Sequence, residues 1–148
     1  MGSSCSSRAW IFEGEEQAHG NFPYIETQAV YSIKIPIGAI YIVEIDFLDR
    51  LPAYDSKEHR IDNICVIGAF RIKGENVVPA NVFNTPNGKN YKILVESEGK
   101  LPRFQVDTTK KQIGIPLISA ESFRFSGRYL DYIWDEEKEC FIYSKPSN

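Results

Sequence analysis

The sequence has no long hydrophobic run, little histidine and methionine, and no excess of basic charge. Its 148 residues include two His, one Met and three Cys. Because no stretch approaches the roughly 18 consecutive apolar residues of a membrane-spanning helix, we expect no transmembrane segment. Seventeen Lys and Arg stand against twenty Asp and Glu. No basic stripe is present to neutralise a phosphate backbone, so we predict that nucleic acid is not a partner.

The remaining composition is typical of an ordinary globular chain, with 43% hydrophobic and 13% aromatic residues. A chain of this length buries about two-thirds of its unfolded surface, so it can fold without metal or disulfide support. The odd number of cysteines and the lack of a secretory leader favour a reducing, intracellular compartment. Cys65 stands in the apolar run 64–67, where we expect a buried and unreactive thiol.

Alternation of apolar and polar residues dominates the chain from residue 30 onward and predicts strands. The predicted strands cover residues 30–35, 39–47, 61–73, 91–96, 100–106, 112–117, 123–134 (interrupted near Gly127) and 140–143. The run 61–73 is apolar on both faces and is predicted to be central. We therefore predict an all-β fold, a single-domain antiparallel β-sandwich or barrel of about eight strands, with at most one or two short helical turns.

Turn signals separate several of these runs. Thr85-Pro86-Asn87-Gly88 presets φ at its proline and tolerates positive φ at its glycine, so it predicts a chain reversal. Residues 36–38 predict a hairpin between the first two strands. A short helical turn capped by Asp55 is predicted before the third strand. Residues 1–9 are small and polar and are predicted to be a flexible leader, followed by one globular β domain over residues 10–148.

The leader carries the most specific motif of the sequence. Residues 1–6, Met-Gly-Ser-Ser-Cys-Ser, match the N-myristoylation pattern, in which removal of Met1 frees the amine of Gly2. The leader resembles those of dually acylated proteins, in which a nearby cysteine receives palmitate, and Cys5 stands at that position. One myristoyl chain gives marginal membrane binding, so a second signal is needed, and Cys5 is the candidate for it.

Another interpretation of the leader remains open. A Gly- and Ser-rich start is also typical of an expression tag or of a generic disordered terminus. A bacterial source would exclude the motif, because bacteria lack the transferase.

Sequence motifs for chemistry are weak. His19 follows several glutamates, and His59 stands among Asp55, Glu58 and Asp62, but neither set has the spacing of a zinc or iron site. No nucleophile elbow, phosphate-binding loop or dinucleotide fingerprint is present. We predict no catalytic residue, no bound metal and no cofactor.

Aromatic residues are concentrated near the C-terminus. Tyr129, Tyr132, Trp134 and Phe141 would form a binding surface for protein or another ligand if they lay on an exposed sheet face. The alternative is that they fill the core, since a small sandwich needs large side chains inside it.

These observations lead to one favoured hypothesis and two alternatives. The favoured hypothesis is a non-enzymatic intracellular β-domain, tethered to the cytoplasmic face of a membrane by acylation in a eukaryotic cell, that acts as a protein- or lipid-binding adaptor. Without acylation it would be cytoplasmic. The first alternative is a soluble interaction module such as an inhibitor or immunity-type protein, and the second is a small β-barrel enzyme.

Overall fold

A computed structural model describes residues 24–36, 38–54 and 60–144. Within these ranges the chain forms strands joined by turns and loops, with no helix, so the predicted all-β fold is confirmed. The strands are β1 (Tyr24–Ile35), β2 (Gly38–Tyr54), β3 (Arg60–Lys73), β4 (Asn76–Pro79), β5 (Phe83–Thr85), β6 (Gly88–Asn90), β7 (Lys92–Ser97), β8 (Gln105–Asp107), β9 (Gln112–Ile118), β10 (Phe125–Asp135) and β11 (Cys140–Tyr143).

The strands form two sheets. The first sheet has the order β1-β2-β3-β4, and β7 also pairs with β3. Because β7 pairs with residues 63–68 of β3 and β4 pairs with residues 70–73, these two strands follow one another along the same edge of β3. The second sheet has the order β6-β5-β11-β10-β9-β8. Every pairing is antiparallel except that of β11 with β5.

The main hydrophobic core lies between the two sheets. Side chains alternate between the two faces of a strand, so Ile33 and Ile35 of β1 are buried while Ser32 and Lys34 are exposed, as the sequence pattern predicts. The second sheet contributes Phe83 and Phe141, whose rings stack with their centroids 5.4 Å apart. This contact joins β5 to β11 and makes the parallel pair part of the core.

A second apolar cluster lies on the opposite face of the first sheet. Val43, Ile45, Val66 and Phe70 are buried there, and Phe123 from the loop before β10 packs against them. The first sheet is therefore buried on both faces along part of its length. This explains why the run 61–73 is apolar throughout, and it confirms the prediction that this strand is central.

The structure differs from the predicted strand pattern in several places. Eleven strands lie among the described residues, whereas the sequence predicts about eight. The sequence does not predict strands β4, β5 and β6, because each has only three or four residues, too few to show a period. Of the predicted strand 100–106, only residues 105 and 106 lie in a strand, which is β8. Of the interrupted segment 123–134, residues 125–134 belong to one strand, β10, and residues 123 and 124 lie in the loop before it. The pairing of β10 with β9 has a register shift between Phe125 and Tyr129, where Gly127 has φ 89°.

The predicted turns agree with the structure where it describes them. Thr85 and Gly88 close the β5–β6 hairpin, and Gly88 has a φ of 104°, which favours glycine. Ile35 pairs with Gly38 at the end of the β1–β2 hairpin. The predicted leader, residues 1–9, and the predicted helical turn at residues 55–59 lie outside the described residues.

Candidate functional site

The sequence-predicted lipidation residues lie outside the part of the chain that the structure describes. Gly2 and Cys5 belong to the first 23 residues, as does His19, and His59 falls in the gap at residues 55–59. Acylation of Gly2 and Cys5 therefore stays a prediction.

The aromatic residues near the C-terminus are divided between the core and the surface. Tyr132, Trp134 and Phe141 are 5%, 8% and 0% exposed and belong to the core between the sheets. Their rings make edge contacts, with Trp134 5.0 Å from Phe141 and Tyr132 5.8 Å from Phe83. The core interpretation accounts for these three residues, so they are removed from the candidate binding surface.

Strand periodicity explains this division. In β10 the side chains of Tyr132 and Trp134 point to the core, so Asp131 and Ile133 lie on the outer face of the second sheet. Tyr129 lies two residues before Asp131 and therefore on the same face of the strand. It is half-buried, and its ring makes an edge contact with Phe125 at 5.5 Å. Of the four predicted surface aromatics, Tyr129 is the one with an exposed portion.

A polar cluster interrupts the inner face of the first sheet. Glu44 of β2 lies on this face, and its side chain is only 2% exposed. Arg103, in the loop between β7 and β8, donates from Nε to Glu44 Oε2 at 3.1 Å. The hydroxyl of Tyr31 is 3.5 Å from Glu44 Oε1, a long and weak hydrogen bond. The Arg103 guanidinium is half-exposed, so it links the buried carboxylate to solvent.

Burial sets the acid–base properties of this cluster. Loss of water around Glu44 raises the pKa of its carboxyl, although the hydrogen bond and charge of Arg103 oppose the increase. Burial also raises the pKa of the Cys65 thiol, and the neighbouring Asp46 and Glu44 carboxylates raise that pKa further. Cys65 is therefore held as a neutral thiol. A neutral buried thiol is a poor nucleophile, in agreement with the unreactive cysteine that the sequence predicts.

The pairing of Glu44 with Arg103 is a feature that the sequence analysis missed. The two residues are far apart in the chain, so no local motif joins them. The alternation of β2 does contain a signal, because it places Glu44 on the same face as Ile40 and Ile42, which are both fully buried. A charged side chain at such an inward position requires a partner. Across the described ranges, no three His, Cys, Asp or Glu side chains form a group suited to hold a metal ion.

One hollow lies on the outer face of the second sheet. It has a volume of about 250 Å³, and its lining includes Gln105, Lys110, Gln112 and Asp131. Gly114 lies beneath it, where a Cβ atom would come within 3.3 Å of side-chain atoms of Gln105 and Asp131. Glycine at this position therefore leaves room for the side chains of Gln105 and Asp131 on this face.

Another hollow lies at one end of the first sheet. It has a volume of about 350 Å³ and is lined by Gly38, Ala39 and Tyr41 of β2 and by residues 71–73 of β3. Two of these three β3 residues, Arg71 and Lys73, are basic. We call this site the basic hollow.

Comparison with protein-family models, with curated proteins and with solved structures finds no match. In the described segments of the chain, no helix has the length and apolar character needed to cross a membrane.

Proposed function

We propose that the protein is a β-sandwich binding domain tethered to the cytoplasmic face of a membrane by acyl chains on Gly2 and Cys5. The observation that carries this proposal is the sequence Met-Gly-Ser-Ser-Cys-Ser at residues 1–6. It combines a glycine that can be myristoylated after loss of Met1 with a serine at the favoured sixth position. Cys5 lies close enough to the same membrane surface to receive a second acyl chain.

The strength of membrane binding explains the need for both residues. A single myristoyl chain binds a bilayer with a partition constant of only about 10⁴ M⁻¹, so a protein with this chain alone exchanges with the cytosol. Palmitate on Cys5 would add enough buried hydrocarbon for stable residence. In this proposal Gly2 directs the chain to a membrane and Cys5 retains it there.

The interior of the described domain supports a role in binding rather than in catalysis by Cys65. Large side chains such as Phe83 and Phe141 fill the space between the sheets. The thiol of Cys65 is buried and its pKa is raised, which disfavours its use as a nucleophile. The available surfaces are the outer sheet faces and the loops, where a protein or lipid can bind.

Metabolic labelling with an alkyne analogue of myristate tests the first acylation. We expect label on the wild-type chain expressed in a eukaryotic cell and no label on the Gly2→Ala variant, because the transferase requires an N-terminal glycine amine. Ser3→Ala is the matched control and should be labelled like the wild type. An unlabelled wild type, or equal labelling of Gly2→Ala, contradicts the proposal and favours the soluble interaction module.

Membrane fractionation tests the second acylation. Cys5→Ser should keep the myristate label and move from the membrane fraction to the cytosol, since one acyl chain gives only weak binding. Ser4→Ala is the control and should stay with membranes. Full membrane retention of Cys5→Ser would show that palmitate on this residue is not the second signal.

A further inference from the structure

The residues that line the basic hollow come from two hairpins, β1–β2 and β3–β4, which lie side by side. The β1–β2 hairpin contributes the first residues of β2, and β3 contributes its last residues before the β3–β4 turn. Because β2 and β3 are antiparallel, with Tyr41 opposite Phe70, the start of one strand lies beside the end of the other. The two hairpin ends therefore lie side by side at one end of the first sheet. We call this end of the sheet the basic edge.

Positive charge collects at this edge. Arg71 and Lys73 line the basic hollow, and Lys34 of β1 pairs in register with Ala39 on the hollow's rim. None of these three side chains makes an ion pair with another described residue, whereas Arg60, Arg103, Lys111 and Arg124 all do. Glu75 is the acidic residue in the adjoining turn, so the edge keeps an excess of positive charge in a protein whose net charge is −3.

An exposed apolar side chain stands between two of these cations. Ile72 is 55% exposed, the highest value among the large hydrophobic side chains of the described chain. It lies directly between Arg71 and Lys73 in β3. Because successive side chains of a strand point to opposite faces, Ile72 lies on the face of Phe70 and Val77. Arg71 and Lys73 extend from the other face at the same strand end, where their long stems let the charged groups reach a polar surface. A cation–isoleucine–cation sequence at an exposed strand end has the character of an interfacial membrane contact.

We propose that this edge of the first sheet binds the surface of a bilayer that contains anionic phospholipid. Arg71 and Lys73 bind lipid phosphate groups from one face of this edge, while Lys34 adds long-range attraction and Ile72 enters the headgroup region from the other face. The proposal rests on the membrane tether proposed above and deepens it, because it specifies which surface of the domain faces the lipid.

The expected strength of this contact suits a domain that is already tethered. A Lys or Arg close to an anionic leaflet contributes a factor of about five in binding, so three of them give on the order of 100-fold. This is weaker than an acyl chain but sufficient to hold a tethered domain in one orientation.

The length of the chain before β1 permits this orientation. Residues 1–23 precede β1, which begins at Tyr24, whereas the basic hollow lies at the other end of the strand, beyond Ile35. The 12 residues of β1 span about 40 Å. A chain from Gly2 to Tyr24 can extend at most about 75 Å. An anchor on Gly2 can therefore reach the same bilayer as the hairpin ends.

Vesicle co-sedimentation of the full-length, unacylated chain tests the proposal without relying on the acyl groups. One set of vesicles contains phosphatidylcholine alone, and the other contains phosphatidylcholine and phosphatidylserine in a three-to-one ratio. We expect at least tenfold tighter binding to the anionic vesicles at low salt and a loss of this preference at high salt, because salt screens exposed charges. Equal binding to the two kinds of vesicle, or no binding to either, overturns the proposal.

Matched variants locate the contact. Arg71→Ala with Lys73→Ala should remove most of the preference for anionic vesicles, whereas Lys89→Ala with Lys100→Ala should keep it, since that pair is also basic and exposed but lies outside the basic hollow. Equal loss in both double variants would show only an effect of net charge and would overturn the assignment.

A second pair of variants tests the apolar part of the contact. Ile72→Ser should weaken binding to anionic vesicles severalfold at unchanged charge, and Ile133→Ser, on the second sheet, should not. Unfolding in urea checks that each variant is folded.

A chain that shows the anionic preference but takes no myristate label would contradict the anchor alone. A labelled chain without the preference would contradict the lipid-facing edge alone.

Discussion

Glu44 is the most deeply buried charged side chain of the described residues, and its environment depends on a single cation. Desolvation raises the pKa of its carboxyl, and the Arg103 guanidinium lowers it. Removing one partner of such a pair leaves the other charge buried without compensation, which costs more than the pair contributes. Because Arg103 is half-exposed, water can replace part of its interaction with Glu44, and the cost is smaller than for a fully buried pair.

The Arg103→Ala variant should reveal the buried charge through the pH dependence of stability. We expect a loss of about 1–3 kcal/mol in the free energy of unfolding near neutral pH, since a buried acceptor loses its donor. The folded-state pKa of Glu44 lies above its unfolded value, so the ionised carboxylate destabilises the fold at high pH. This cost disappears as the pH falls through the folded-state pKa. Without Arg103 that pKa rises further, and the loss should therefore shrink as the pH decreases.

Urea denaturation at about pH 8 and about pH 5 measures this effect. The stability difference between wild type and Arg103→Ala should be smaller at the lower pH. In a Glu44→Gln background, which removes the titrating group, Arg103→Ala should have the same effect at both pH values. A difference that is independent of pH with Glu44 present would contradict the coupling.

The loop after β7 is held by several hydrogen bonds to the backbone of Gly99. Gly99 has φ 79°, and its carbonyl accepts hydrogen bonds from the side chains of Asn63 and Ser97. Its N–H donates to Asp62 Oδ2 at 2.9 Å. An added Cβ at this position would lie 2.7 Å from an Arg124 nitrogen. Three side chains from β3 and β7 thus hold this backbone in place, and a side chain at residue 99 would require the end of Arg124 to move.

Gly99→Ala and Gly74→Ala form a matched pair that separates backbone strain from steric overlap. Both glycines have positive φ, but a Cβ at Gly74 would meet nothing within 4 Å. Gly74→Ala should cost about 1 kcal/mol, the usual penalty for alanine in this backbone region. Gly99→Ala should cost about 1–2 kcal/mol, since moving the exposed Arg124 side chain aside adds at most the loss of its ion pair with Glu98 to that penalty. Arg124→Ala should bring the cost of Gly99→Ala close to that of Gly74→Ala, as measured by urea denaturation. Equal costs at the two glycines in the wild-type background would contradict the overlap.

The sequence predicts the longer strands of this fold better than the contacts between them. Strands β1 and β2 follow from alternation, and β3 follows from a long run that is apolar on both faces. The short strand β5 has only three residues, and its place is set by the packing of Phe83 on Phe141, which no local pattern reveals. The basic hollow escapes sequence analysis for the same reason, since Lys34 and Arg71 come to the same end of the sheet only after two hairpins have paired.

For the molecule as a whole, the two sheets present surfaces of different chemical character. The first sheet carries apolar clusters on both faces and ends in the basic hollow, whereas the second sheet exposes a polar outer face around Gln105 and Asp131. With an acylated leader and a basic edge directed toward the lipid, the polar face of the second sheet would stay available for a protein partner. The proposed attachment to a membrane therefore depends first on the chemical state of the N-terminus.

Intact-mass measurement of the protein purified from the cells that naturally make it tests this state most directly. The account predicts a chain that has lost Met1 and gained one myristoyl group at Gly2, with a second, thioester-linked acyl group on Cys5 that hydroxylamine removes. A mass that corresponds to the chain with an unmodified Gly2 would contradict the central claim.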